Sequence, residues 1–438
     1  MVRMLSRLNL KSFVRSCWRR VAFERPENFS FLSGKFLVAA LLSASAWVPA
    51  WAMDSTQVLP VSVNSPSIRM GVVSGLGMKF TGSGELMTLN DLNSVEFDVK
   101  MLSQFEPRVR DLVGVLNQFG AQRFGDELHL GTLRVNTSPE VRYLAPVYAR
   151  GVNEKWTLAI GMPVLTYTNR LRLEQTGGNL QAIRDQVGTG SAELNTAFEQ
   201  LNINLANAAH AEIAKKGYKP LGDRAETLYG DMQLASLYQF LKREAFSAQL
   251  KTIVSLPTGE GNDPDDLADL GAYGYTAVEN QLLANLRRGR ALFAVKGGYR
   301  YVLPDRVMRR VPRDEGDSLP DADTKERVQR ATGGTAFVGA ASSYEISEAL
   351  NVAIGYEHAM KSADTYAGRE GRRYDLLERE TASQVGRMRL GMSYSSVSAF
   401  FAGTALLPAV VAYEFSDTIS GFNTERMSVH ELWLQIFF

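Results

Sequence analysis

The stretch Phe246-Ser247-Ala248-Gln249-Leu250-Lys251-Thr252-Ile253-Val254-Ser255-Leu256 alternates in polarity with a period of two. Phe246, Ala248, Leu250, Thr252, Val254 and Leu256 fall on one side, and Ser247, Gln249, Lys251 and Ser255 on the other, because successive side chains of an extended chain point to opposite faces. The pattern recurs downstream. Phe293, Val295, Tyr299, Tyr301 and Leu303 oppose Lys296 and Arg300; Leu350, Val352, Ile354 and Tyr356 oppose Asn351 and Glu357. Met388, Leu390, Met392 and Tyr394 oppose Arg387, Arg389, Ser393 and Ser395. Each segment reads as a strand with one apolar and one polar face. A soluble sandwich has such strands too. These, however, run to ten residues and more, against about 5–6 for globular strands. Tyrosines recur near their ends, and cations and carboxylates sit in mid-strand. Both traits suit a transmembrane barrel with aromatic girdles and a wet lumen.

Fourteen segments carry the pattern: about 69–80, 92–102, 126–136, 139–150, 155–168, 226–241, 244–256, 270–285, 290–303, 332–345, 349–361, 382–396, 406–416 and 425–438. The connections alternate in length. Those at 169–225, 257–269, 304–331 and 362–379 are long; those at 151–155, 242–244, 287–290 and 345–349 are short. Outer-membrane barrels put short turns in the periplasm and long loops outside. The chain ends on Leu432, Leu434, Ile436 and Phe438, all on one face. This resembles the C-terminal signal read by the barrel-assembly machinery, with Gln435 on the lumen face. The expected fold is all-β: an antiparallel up-and-down transmembrane barrel of about 14 strands, or 12 with an N-terminal plug, carrying helical insertions. The lumen-lining candidates are Gln249, Lys251, Lys296, Arg300, Glu357, Arg387 and Arg389.

Composition narrows the function classes. The 438 residues are 45% hydrophobic and 22% charged. No apolar run beyond residue 52 reaches the ~18 residues of a spanning helix, which excludes a helical membrane bundle. Residues 1–52 hold eight Lys/Arg against two Asp/Glu, then an apolar stretch from Phe36 to Val48 and Ala50-Trp51-Ala52. That is a signal-peptide pattern, with cleavage expected after Ala52. The remainder holds 40 basic and 45 acidic residues and no cysteine, the only one being Cys17. Neither a nucleic-acid partner nor a thiol site is expected. The division is then 1–52 leader, 53–125 N-terminal strands with a plug or hatch-like segment, and 126–438 barrel.

Two stretches have helical spacing. Phe105, Val109, Leu112, Val113, Leu116 and Phe119 form one stripe. Within 169–225, Leu194, Phe198, Leu201 and Leu205 belong to another, predicting a helix over 192–214. An external amphipathic helix buries its stripe on the rim, on another loop or on a hydrophobic ligand, so these four are candidate ligand-collecting residues. No cofactor or metal is expected. The G-x-S-x-G, H-E-x-x-H and P-loop patterns are absent, and no histidine has a serine two residues later. The acidic loop 260–266 fails the EF-hand spacing, and loop 304–331, with seven basic and seven acidic residues, suits pairing with neighbouring loops or lipopolysaccharide phosphates.

Val254-Ser255-Leu256-Pro257-Thr258-Gly259, the paired strands at 334–346 and 350–356, and terminal Phe438 resemble the FadL-type outer-membrane transporters of hydrophobic compounds and the related MetA-pathway phenol-degradation proteins. The resemblance covers about the last 200 residues. It implies passive uptake of small hydrophobic or aromatic compounds across the bacterial outer membrane. The Gly-rich stretch from Met70 to Gly84 lacks the Asn-Pro-Ala segment of the FadL hatch. A porin for small polar solutes is the alternative, favoured by the charged lumen candidates; a membrane-embedded hydrolase is a third class, tested by lipid or peptide cleavage. Tags placed in 169–225, 304–331 and 362–379 should be reached by antibody on intact cells. Tags at 242–244 and 345–349 should be reached only after the outer membrane is ruptured, and the reverse pattern would invert the topology.

Overall fold

The computed structural model describes residues 55–92, 94–98, 113–114, 117–118, 127–188, 191–202, 204–269, 274–317 and 319–438. The leader 1–52 and most of the 105–119 stripe lie outside the described residues. Twelve strands follow one another around a closed wall. They are β1 Asn64–Ser74, β2 His129–Asn153, β3 in two pieces (Trp156–Gly161 and Val164–Thr176), and β4 in two pieces (Arg224–Tyr229 and Met232–Lys242). Then come β5 Phe246–Leu256, β6 Ala277–Arg288, β7 Ala291–Val302, β8 Thr335–Glu345, β9 Leu350–Lys361, β10 Ser383–Ser395, β11 Ala409–Phe422 and β12 Ser428–Ile436. All neighbours pair antiparallel, and β1 closes the ring between β12 (Ile68 opposite Leu434) and β2 (Ile68 opposite Pro146).

The count of twelve arises differently from either expectation. The segments at 126–136 and 139–150 are one strand, because Pro139 does not interrupt β2. The Thr137 amide points away from β3, donating to Asn90 Oδ1 at 3.0 Å, while the Ser138 amide points toward β3, to Asn169 Oδ1. Pro139 shares the parity of Thr137, so its missing N–H faces an edge that β1 does not reach, and no ladder bond is lost. The first segment is a wall strand displaced to 64–74, not a plug. Of 92–102, Ser94–Asp98 is a strand that pairs with the upper end of β2, outside the closed ring. The strand expected at 406–416 continues to Phe422, leaving only 423–427 as the last outer connection. The two pieces of β3 keep one register against β2 across Met162-Pro163.

Facing follows the alternation. Leu250, Leu282, Val295, Ile354, Met392 and Leu434 stand exposed on the outer wall, while Gln249, Lys251, Gln281, Lys296, Glu357 and Gln435 are enclosed. An apolar belt outside a closed ring leaves no backbone edge in lipid. The chain is a bacterial outer-membrane barrel. The connections at 154–155, 243–245, 289–290, 346–349 and 396–408, the first four of them short, share one end with both the first and last strand termini. Those at 177–223, 257–276, 303–334 and 362–382, all long, share the other with the brief 423–427. By the rule that long loops stand outside, this second end is the outer one. Phe438 and Asn64 exchange backbone hydrogen bonds (2.7 and 3.0 Å), and Gln435 Nε2 donates to Ser65 Oγ at 2.7 Å, which ties the last strand to the first.

Above the membrane the upper parts of β2, β3 and β4 continue as a wall on which the long loops fold. The expected helix over 192–214 is broken into α2 Ala192–Leu201 and α3 Leu205–Lys215, preceded by α1 Leu180–Val187. Asn204 ends the continuity: it caps α3, its side chain accepting from the Asn207 amide at 2.9 Å, a role asparagine fills better than a helix interior. Ile354→Arg, in mid-strand on the lipid face, should lower stability by roughly 2–4 kcal/mol, whereas Asn351→Arg, facing inward, should keep heat-modifiable migration on gels. A tolerant Ile354 beside an intolerant Asn351 would reverse the assigned faces.

Candidate functional site: the lumen and its two mouths

The lumen has two unlike halves. The inner faces of β6 to β12, with β5, carry the predicted residues and bring them together. Lys296 Nζ lies 2.6 Å from Glu357, and Arg387 lies 3.9 Å from the same carboxylate. Arg389 Nε reaches Glu414 at 2.7 Å. Arg300 donates to Tyr275 Oη at 3.1 Å, and Gln281 donates to Glu279. Gln249 and Lys251 project from β5 into the same space, each almost fully enclosed. One cation, Arg69, and the carboxylates Glu279, Glu414 and Glu431, missed by sequence reading, complete the ring. Arg69 sits 3.6 Å from Glu431 with its guanidinium 4.6 Å from the Trp433 ring centroid. Tyr143 crosses over β1 to donate to Glu431 at 2.5 Å. Gly71 makes that crossing possible, since a Cβ there would lie 2.4 Å from the tyrosine ring. Buried ions need partners of this kind, because desolvation otherwise exceeds the attraction.

The other half is apolar inside as well as outside. Val73 of β1; Val141, Tyr143, Ala145, Val147 and Ala149 of β2; Ala159, Leu165 and Tyr167 of β3; Ala235 and Leu237 of β4; and Ile253 of β5 form one buried cluster. Leu76 and Met427 extend it to the outer mouth, and Leu59, Val58, Val63 and Phe437 extend it to the periplasmic mouth. The 55–63 segment lies inside the lower lumen. Leu59 N donates to Thr157 Oγ1 at 2.8 Å, Thr56 Oγ1 and Ser247 Oγ are 2.5 Å apart, and Gln239 Nε2 donates to Thr56 O at 2.8 Å. Alternation marks the polar faces of the other strands. The signal for this stripe was its opposite, the near-continuous apolar run from Val141 to Ala149.

The outer loops form a packed dome. Ile213, Tyr218, Leu221, Leu267, Ala268 and Leu319 pack against Val135 and Leu171 on the upper wall. Of the candidate collecting residues, Phe198 is fully enclosed, with the Arg184 guanidinium 6.0 Å from its ring, and Leu205 is buried. The side chains of Leu194 and Leu201 lie outside the described ones. Three carboxylates of the 260–266 loop are engaged by cations: Asp263 by Lys219 at 2.9 Å, Asp265 by Lys325 at 2.7 Å and by Arg310, Asp266 by Arg224. Burial would raise the Asp265 carboxyl, but the Lys325 and Arg310 contacts outweigh it and hold the group below the ordinary range. Arg310 also lies 3.7 Å over the Tyr218 ring. His358 and His430 sit on lipid-facing positions, His430 Nδ1 lying 2.7 Å from Tyr413 Oη.

At the outer mouth, the 423–427 connection pairs Thr424–Glu425 with Met78–Phe80. Burial pushes the Glu425 carboxyl up to about 8, with Lys79 opposing. Lys79 itself lies 3.7 Å from Glu380. A carboxyl whose folded value exceeds its unfolded one binds a proton on folding. Its contribution is therefore full below about 4.5 and is lost as pH rises through about 8. Hydrogen exchange at 423–427 should accelerate between pH 6 and pH 9 beyond the intrinsic rate increase, and Glu425→Gln should abolish that excess. An unchanged excess in the variant would remove Glu425 as its source.

No protein-family model matches the chain, and no curated protein matches it. Among solved structures it is similar to the COG4313 outer membrane channel from Pseudomonas putida F1, at 10% identity and a TM-score of 0.50, over 90% of this chain and 100% of that one. A FadL homologue from Pseudomonas aeruginosa is more distant, at 8% identity and a TM-score of 0.33, over 86% of this chain and 90% of that one. So is a deltaS2S3 mutant of the TodX monoaromatic hydrocarbon channel, at 7% identity and 0.31, over 87% of this chain and 91% of that one. The first likeness is one of fold.

Proposed function

We propose that this barrel is an outer-membrane channel for passive uptake of small hydrophobic or aromatic compounds. The observation that carries the reading is the apolar stripe, from Leu76 and Met427 at the outer mouth through Val141, Leu165 and Leu237 to Leu59 and Phe437 below. These side chains are packed together, so a solute advances by parting them, and in doing so it exchanges water for apolar surface at roughly 25 cal/mol per Å². The facing half is held by ion pairs, Lys296–Glu357 and Arg389–Glu414 among them, which pin the charged side chains to the wall. Lipopolysaccharide obstructs direct partitioning of apolar solutes, and such a stripe supplies a path around it. Collection by Leu194, Phe198, Leu201 and Leu205 would require the packed outer loops to part, since Phe198 and Leu205 are buried.

A porin for small polar solutes is the second reading, and the charged half favours it. At mid-height Arg69, Lys251, Lys296, Arg300, Arg387 and Arg389 outnumber Glu279, Glu357, Glu414 and Glu431, and lower down Arg287 pairs with Glu345. Such a lumen would prefer anions. Uptake of radiolabelled toluene by intact cells and single-channel conductance in planar bilayers separate the two. The hydrophobe channel should speed toluene entry and show little steady current. Leu165→Asn with Leu237→Asn, scored in barrels that keep heat-modifiable migration, should cut toluene entry about tenfold, the factor for ~1.4 kcal/mol of lost apolar contact. Steady anion-selective current, with toluene entry indifferent to the double substitution, would establish the porin instead.

A further inference from the structure

We infer that the periplasmic mouth holds a release site for an uncharged, apolar molecule of one or two rings. This rests on the channel reading and places the last stop of its solute. A cavity of about 560 Å³ opens there, between the 55–63 segment, the 396–408 turn and the chain end. Leu59, Val63, Leu237, Phe400, Leu407 and Phe437 supply its walls. Among the residues around it only Gln57 and Thr157 have polar side chains, and the Thr157 hydroxyl already accepts from Leu59 N at 2.8 Å. A carboxylate or ammonium entering this space would give up its water with no ionic partner. An apolar ring system gives up nothing. The size agrees, since a cavity of about 150 Å³ already holds benzene and small-molecule sites run from about 300 to 1,000 Å³.

Its position makes it a stage in transit rather than an isolated gap. Leu59, Leu237, Val63 and Phe437 belong at once to the cavity and to the apolar stripe of the lumen, so a solute descending the stripe enters the cavity without crossing a polar step. The cavity also lies behind the wall, not in it. Leu237 and Thr157 are enclosed, while Trp156, Leu158 and Tyr238, their outward neighbours, stand in lipid and take no part in the lining. The floor is the one-turn helix Val397–Phe401 and the residues after it, reaching under the mouth to meet the 55–63 segment. Phe401 at the rim of the cavity is 81% exposed, and Leu406, outside the lining, is 95% exposed, which leaves the exit side open to the periplasm.

The test uses the near-absence of cysteine. In a Cys17→Ser background, Leu407→Cys places a thiol on the cavity wall, and Leu406→Cys places one just outside it. Benzyl methanethiosulfonate then fills or spares the cavity, and reductant removes the group. Naphthalene binding to the full-length purified barrel in detergent, read by its fluorescence, should weaken at least tenfold on labelling Leu407→Cys and return on reduction. Labelling Leu406→Cys should change it less than twofold. Unchanged binding after complete labelling at 407 would overturn the site, and so would equal losses at both positions. Displacement of naphthalene by monomeric lysophosphatidylcholine at lower concentration than naphthalene itself requires would also overturn it, marking a lipid-tail site. Toluene entry into cells is scored separately. Entry that ignores the protein while naphthalene binding still depends on position 407 defeats the channel reading and keeps the site; normal entry with binding indifferent to the label does the reverse.

Discussion

Hydrocarbon offers no hydrogen-bond partner to a peptide group, so each strand that enters the bilayer must be paired on both sides. Everything else in this molecule depends on β1 meeting that demand. It is the strand on which first and last meet, paired to β12 from Ser67 to Ser74 and to β2 from Asn64 to Val73. Its inner face then sets the lumen contents: Ser65 holds Gln435, Arg69 holds Glu431 and stacks on Trp433, and Gly71 lets Tyr143 reach across. A single strand closes the wall, anchors the polar half of the interior and begins the apolar one at Val73.

Where the two faces of a strand differ, the sequence was legible. The strands β7 and β9 alternate cleanly. So do β5 and β10 apart from one irregularity each, at Ala248/Gln249, where Ala248 is buried rather than outward, and at Gly386/Arg387. Gln249, Lys251, Lys296, Arg300, Glu357, Arg387 and Arg389 stand on the inward side of these strands. The terminal pattern was legible for the same reason, Leu432 and Leu434 standing outside and Gln435 inside. Legibility failed where both faces are apolar or where a local signal was overridden. Pro139 looks like a boundary until the open edge beside it is known. The Val141–Ala149 run has no period to read, because its two faces meet lipid on one side and an apolar lumen on the other. Arg69, Tyr143 and Glu431 come from three strands far apart in the chain, a convergence that only closure produces.

The interior thus differs from both of the simple barrels a sequence suggests. A lumen lined by charge throughout would be filled by water; one lined by apolar groups throughout would be a collapsed core. Here ion pairs hold one side in place, and the apolar side is continuous from mouth to mouth. The 55–63 segment joins that apolar side near the periplasm, through Leu59 and its bond to Thr157. The outer dome, braced by Arg310, Asp265 and Lys325, closes over the upper wall of the same strands.

A stripe that is dry on both faces has a cost before the barrel exists. Unfolded in water, the 141–149 stretch has no wetted side: Val141, Tyr143, Ala145, Val147 and Ala149 are as apolar as Leu144 and Tyr148 opposite them. Segments of this composition self-associate when left unpaired. Arg142, Pro146 and Arg150 interrupt and flank it, in the manner of gatekeeper residues that slow such pairing. The dryness on both faces that lets this side of the finished wall pack without water therefore leaves the unfolded chain open to self-association until its strands are paired.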